Sequence, residues 1–244
     1  MRYFVEFAYN GTDFHGSQRQ PNGVTVQEVM EDAFSTVLRE PVALTFAGRT
    51  DARVHAEQMF AHFEVTGDGL RVTDNVERLN SLLPPSIAIR RIYPVKDDAH
   101  ARFSAVERTY EYRITTAKDP FRPHQVTRVA AGLDFEKMNQ AAQLLLGTHD
   151  FASFCKVHTD VKTTICTVTR AEWGNNVFTI TADRFLRNMV RAVVGTLFEV
   201  GRGKMSLDEF RNVIDCRNRC AAGQSAPAEG LFLVHVRYPD TILL

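Results

Sequence analysis

Apolar residues in this chain switch between a period of two and a period near 3.6 in the same order twice, and this constrains the fold more than any other feature. Tyr3, Val5, Phe7 and Tyr9 alternate, as a strand requires. Thr25-Val26-Gln27-Glu28 has the form of a capping box. Val26, Val29, Met30, Phe34, Val37 and Leu38 then follow at helical spacing. One strand runs into Gly48, and a second leaves through Met59, Ala61, Phe63 and Val65. A helix around Val76, Leu79 and Leu82 stops at Pro84-Pro85, before a strand through Ile87, Ile89 and Tyr93. The order is βαββαβ.

The second half repeats it. Tyr110, Tyr112 and Ile114 alternate, Asp134 to Leu146 reads as a helix stopped by Gly147, and Gly174-Asn175-Asn176 signals a hairpin between two strands. Leu186 to Val200 carries a helical stripe (Met189, Val190, Val193, Leu197, Val200) ending at Gly201. Ser206-Leu207-Asp208-Glu209 is a capping box for an extra short helix, and Leu231 to Tyr238 is a closing strand. The pattern predicts an α+β fold of two tandem ferredoxin-like (βαββαβ) units. Their antiparallel sheets would join around a central cleft, with helices on the outer face. Residues 97–108, short of apolar alternation, mark the boundary, giving expected domains 1–108 and 109–244. The repeat is one of element order, not of residues. Residues 119–124 and 224–230 read as irregular loops.

At 244 residues with 44% apolar content the chain can bury a substantial core. No apolar run approaches membrane-spanning length and Met1 to Glu6 lacks the architecture of a signal peptide, so no membrane association and a cytoplasmic location are expected. The cysteines at 155, 166, 216 and 220 form no C-x-x-C pair, which favours free thiols over a metal site. Formal net charge is zero, but the 29 cations comprise 23 Arg and 6 Lys. Arginine's planar fork suits phosphate and base edges; a codon-composition bias gives the same skew.

Three segments carry candidate chemistry. In Ala47-Gly48-Arg49-Thr50-Asp51-Ala52-Arg53-Val54-His55-Ala56 a strand-flanked loop holds one carboxylate, Asp51, between Arg49 and Arg53. Nearby positive charge favours the charged form of a carboxyl group. The loop is therefore read as presenting an anionic oxygen beside phosphate-binding cations, suited to chemistry at a nucleic-acid sugar. The plainer alternative is a solvated Asp/Arg turn. In Arg108-Thr109-Tyr110-Glu111-Tyr112-Arg113 both tyrosines fall on one strand face, either to stack on an extruded base or to fill a core. In residues 184–191, Arg187 and Arg191 are four apart at a helix start and share a face.

Seven segments in the same order resemble the tRNA pseudouridine synthase A (TruA) family across nearly the whole chain. They are Tyr9 to Gln20, the Gly48-Arg49-Thr50-Asp51 stretch, Leu79 to Pro84, Ala101 to Ala105, Gly147 to Phe151, Met189-Val190-Arg191 with Val194 to Leu197, and Ala226 to Leu231. The resemblance implies isomerisation of uridine to pseudouridine at positions 38 to 40 in the anticodon stem-loop of tRNA. It also implies a homodimer that needs no cofactor or metal. Matched by position, Asp51 is the catalytic aspartate, Tyr110 the tyrosine stacking on the target uracil, and Arg191 the basic residue pairing with the aspartate. Arg49 matches a residue gripping the flipped nucleotide's backbone; beyond the residues matched by position, Arg53 and Arg187 are expected to add substrate contacts.

The chain departs from the family where Arg53 replaces a usual Gly and Ser17 a usual Trp. A glycine there permits positive φ or close approach of RNA backbone. Arg53 must fold its side chain away or supply a phosphate contact, through drift or an altered tRNA preference. The reaction requires extrusion of the uridine, at a cost of a few kcal/mol. Asp51 would then attack C1′ or act as a base in a glycal route. Two rivals remain at this point: a non-catalytic RNA-binding module, which leaves Asp51 unexplained, and a hydrolytic nucleosidase, which normally needs a second acid or a metal-bound water.

Overall fold

The computed structural model describes residues 1–66, 72–156 and 162–244. Among them the strands are β1 (Arg2–Tyr9), β2 (Thr45–Phe46), β3 (His55–Glu64), β4 (Ile87–Val95), β5 (Glu107–Thr115), β6 (Thr127–Arg128), β7 (Gly147–Asp150), β8 (Ile165–Gly174), β9 (Val177–Ala182) and β10 (Leu231–Arg237). The α-helices are α1 (Val26–Leu38), α2 (Val76–Leu82), α3 (Phe135–Gln143), α4 (Met189–Gly201) and α5 (Leu207–Asp215). The architecture is mixed α and β with mostly antiparallel strand pairing. Two compact units form, Met1–Val106 with Phe232–Leu244, and Glu107–Leu231.

In the first unit β1 lies between β3 and β4, antiparallel to both, and β2 pairs antiparallel with β3. Phe232 and Leu233 of β10 run parallel to His55 and Ala56, so the last strand of the chain docks beside the start of β3. The strand β3 begins at His55, four residues before its apolar alternation suggests, because Ala56 already pairs with Tyr9. Polar Glu57 and Gln58 obscured that start. Alternation also understated β1, whose second face is covered as well. Phe4 is buried, meeting Tyr238 edge-on at 5.2 Å, and Glu6 is buried with its carboxylate accepting from Gln58 and Arg91.

Thr25 caps α1 as expected, its hydroxyl accepting from the Glu28 amide at 3.3 Å. The return half of that capping box does not form; the Glu28 carboxylate lies 3.7 Å from Arg19 instead. The stripe buries Val26, Met30, Ala33, Phe34 and Val37. Leu83 is extended ahead of Pro84, which ends α2, since proline disfavours helical backbone in the residue before it.

In the second unit the strand order is β5-β9-β8-β7, all antiparallel, with the short β6 parallel to the end of β5. The helix α3 packs on α4 and β8. Asn175 and Asn176, at φ 51 and 64, form the hairpin turn between β8 and β9. Ser206 and Glu209 form the full reciprocal capping box. The helix α4 starts at Met189 rather than Leu186, because Asn188 adopts a left-handed φ of 67. The short strands β6 and β7 carry too few residues to show a period. The four cysteines are free.

Candidate active site

The loop between β2 and β3 is held by residues far away in sequence. Thr50, immediately before Asp51, is fixed from two sides. Its amide donates to Ser17 Oγ at 2.8 Å and its carbonyl accepts from the Ser17 amide at 3.2 Å. Its hydroxyl meets Tyr9 OH at 2.8 Å. All three residues are buried. Beyond Asp51, the Arg53 amide donates to the Phe14 carbonyl at 3.3 Å. The buried His55 ring accepts from the Gly11 amide through Nδ1 at 3.0 Å and stacks on Phe232 at 4.5 Å. The ring is thus an acceptor at Nδ1, which leaves the proton of a neutral imidazole on Nε2.

Two glycines allow that approach. A Cβ on Gly11 would overlap the Val54 carbonyl oxygen, and one on Gly16, already at φ +100, would come within 2.9 Å of the Thr50 oxygen. The residues Tyr9 to Ser17 therefore form a backbone cradle for residues 50–55.

Within the cradle the chain turns at Asp51, whose carbonyl accepts from the Val54 amide at 3.2 Å. Arg53, third residue of this turn, has φ 66. A positive φ at that position is the mark of a type II turn, which prefers glycine because a Cβ there meets the backbone. The expected positive-φ demand is thus present, and an arginine meets it. Non-glycine residues in this region carry about 1 kcal/mol or more of strain. Arg53 is exposed rather than folded away, Arg49 is exposed, and Asp51 is half-buried. The result is one carboxylate on a rigid turn with a cation two residues to either side.

In the second unit, Tyr110 and Tyr112 have different surroundings although they share a strand face. Tyr112 is fully buried, its hydroxyl bonded to Thr127 Oγ1 at 2.7 Å and the Pro227 carbonyl at 2.8 Å. Burial holds its phenol well above the ordinary range, so it stays protonated. Tyr110 is only half-buried, with its ring edge-on to Phe185 at 5.0 Å. Of the two readings of this pair, the core reading holds for Tyr112, whereas the Tyr110 ring is only partly covered.

Arg191 lies in the first turn of α4. Its Nε donates to the Ala226 carbonyl at 2.7 Å, and the Ala226 amide returns a bond to the Arg191 carbonyl at 2.9 Å. The segment carrying Ala226 packs tightly on α4, where a Cβ on Gly195 would overlap the Gln224 oxygen. Arg219 ties the same segment at the Gly223 carbonyl and Ser225 Oγ. Arg187 is exposed and precedes the left-handed Asn188, so it stands before the helix and does not share a helical face with Arg191.

The residues that hold the loop, Tyr9, Gly11, Ser17, Thr50 and His55, were not recognisable as a set from local pattern. Tyr9 reads as strand core and His55 as a lone histidine. The signals available were the resemblance of Tyr9 to Gln20 to the family's opening segment and the density of Gly, Asn and Thr between Asn10 and Gly16, where a strand followed by a helix needs fewer residues.

The sequence pattern of a family described as tRNA pseudouridine synthase matches residues 7–104 and 141–239. The match includes the Asp51 loop, its cradle and Arg191; Tyr110 lies in the stretch between the two matched parts. The chain is 54% identical to tRNA pseudouridine synthase A of Bacteroides fragilis, over 99% of this chain and 98% of that protein. It is 55% identical to the protein of that name from Bacteroides thetaiotaomicron, over 99% and 92% of the two chains. With the Porphyromonas gingivalis protein it shares 52% identity over 100% and 99%. The match over most of the chain, together with identities of 52 to 55% over essentially its full length, places this chain in the tRNA pseudouridine synthase family, as an isomerase.

Proposed function

We propose that this protein converts uridine to pseudouridine at positions 38 to 40 of the tRNA anticodon stem-loop, with Asp51 and Arg191 as catalytic residues. The half-buried position of Asp51 on a turn pinned by buried hydrogen bonds carries the reading. A reacting carboxylate has to be held within a fraction of an ångström, and such a frame does this without reorganisation. Tyr110 would stack on the extruded uracil, and Arg49, Arg53 and Arg187 would contact phosphates, together offsetting the cost of flipping.

The reaction is balanced within the nucleotide. The C1′–N1 bond breaks as Asp51 attacks C1′ or removes a sugar proton. The uracil turns and C1′ bonds to C5 as the Asp51–C1′ ester bond breaks or, in the glycal route, as Asp51 returns the proton to C2′; the C5 proton is then lost and N1 gains one. Positive charge developing at the sugar is stabilised by the carboxylate. Arg191 is assigned as the basic partner of Asp51 from the family resemblance. No cofactor takes part. The domains 1–108 and 109–244 and a cytoplasmic homodimer are part of the same proposal; the order β4-β1-β3-β2 in the first unit supports a ferredoxin-like first domain, while Phe232–Leu244 groups with that unit and not with the second.

Incubation with a tRNA transcript carrying uridines at 38 to 40, and with one carrying cytidines there, tests the proposal. Pseudouridine from the first only is the expected result. Free uracil would indicate a nucleosidase, and binding without product an RNA-binding module; either overturns the reading.

A further inference from the structure

We infer that Ser17 is a positioning residue for Asp51, coupling the catalytic turn to the first turn of α1; this rests on the role proposed above for Asp51. Ser17 is fully buried and bonded at three atoms. Its carbonyl accepts from the Gln27 amide at 3.0 Å, and the neighbouring Gly16 carbonyl accepts from the Val26 amide at 3.3 Å. These are the first two amides of α1, which have no partner inside the helix. On its other side Ser17 faces Thr50, donating from its amide and accepting at Oγ. A continuous path of hydrogen bonds thus runs from Gln27 through Ser17 to Thr50, and Asp51 is the next residue.

The two bonds to Thr50 differ in what they require. The amide of residue 17 can donate to the Thr50 carbonyl whatever side chain it carries. The Thr50 amide, in contrast, needs an acceptor, and Ser17 Oγ supplies it at 2.8 Å. Thr50 is 8% exposed and Ser17 0%, so water does not take over that task. Serine is therefore matched to Thr50 by hydrogen bonding and not by bulk. Close packing forbids a looser arrangement, since Gly16 brings its backbone against the Thr50 oxygen. Losing the acceptor frees the Thr50 amide to turn in search of one, and Asp51 turns with it. The consequence falls more on the chemical step than on binding, because Asp51 follows Thr50 directly whereas Tyr110 and Arg187, also proposed to contact the RNA, stand on other elements and do not depend on this bond.

Ser17→Ala deletes the acceptor, and Ser17→Cys keeps nearly the same volume while replacing it with a weak one. Ser35→Ala is the control, since Ser35 Oγ also accepts a backbone amide, that of Val42, at 3.0 Å in the same unit. Single-turnover pseudouridine formation, tRNA Kd and Tm are measured for each. Both Ser17 variants should form product about tenfold to a hundredfold more slowly, as a misplaced reacting group does, with Kd within about twofold of the parent. Ser35→Ala should lower Tm by a comparable amount and leave the rate unchanged. Parent-like rates in the Ser17 variants overturn the inference, as does a rate loss in Ser35→Ala matching theirs. Should Ser17→Ala not fold, Ser17→Cys against Ser35→Ala decides alone. If Asp51→Asn retains the parent rate, the role of Asp51 fails; if only the Ser17 variants do, the coupling alone fails.

Discussion

The chain turns through left-handed backbone both at Arg53 in the Asp51 loop and at Asn175-Asn176 in the β8–β9 hairpin. The hairpin uses residues that tolerate this conformation, because asparagine's short side chain bonds locally. Its flanking strands pair directly, Gly174 opposite Val177. The loop places an arginine at the same kind of φ and draws its hydrogen bonds from Tyr9, Gly11, Phe14 and Ser17. The hairpin is thus self-sufficient, whereas the loop is over-determined from outside. Strain persists only where surrounding structure enforces it, and such places cluster where chemistry is done.

Glycine substitutions should separate the two regions most widely. Gly11→Ala drives a Cβ into the Val54 carbonyl, a backbone atom that cannot step aside. It should cost about 3 kcal/mol in urea unfolding, the scale of overpacking with backbone shifts. Gly174→Ala meets nothing within 4 Å at the hairpin and should stay within about 0.5 kcal/mol of the parent. Similar costs for both would show that the loop is no more tightly held than the hairpin.

Reversing the residue types sharpens the same contrast with smaller effects. Asn176→Ala should destabilise by about 1 kcal/mol, because alanine tolerates φ 64 less well. Arg53→Gly relieves comparable strain but gives the unfolded chain more freedom, worth about 0.5 to 1 kcal/mol. Its stability should therefore stay within about 1 kcal/mol of the parent. Its tRNA affinity should fall, and fall less at high salt, if the exposed guanidinium reaches phosphate. An unchanged salt dependence would remove Arg53 from the RNA contacts.

The same contrast explains how much could be read from sequence. The hairpin was legible because Gly174-Asn175-Asn176 states its turn chemistry within three residues. The capping box at Ser206 was legible for the same reason. At Thr25 only half of the box formed, since Arg19 attracts the Glu28 carboxylate, and an ion pair nine residues back in the chain leaves no local trace. The start of α4 was misplaced by three residues because an apolar stripe does not register a left-handed Asn188. In the candidate site, Asp51 and its arginines were visible as neighbours in sequence. Their frame was not, since Tyr9 and Ser17 reach Thr50 across 41 and 33 residues. Tyr110 and Tyr112 were indistinguishable by alternation, and only burial separates the half-exposed ring from the core one.

The most direct test of the account is single-turnover pseudouridine formation by Asp51→Asn, with tRNA binding and Tm measured on the same preparation. Asn keeps the size of the side chain and removes its charge, so the cradle should survive, with Tm and Kd close to the parent. The account expects no pseudouridine above background. Product at the parent's rate from a folded, tRNA-binding Asp51→Asn would contradict it.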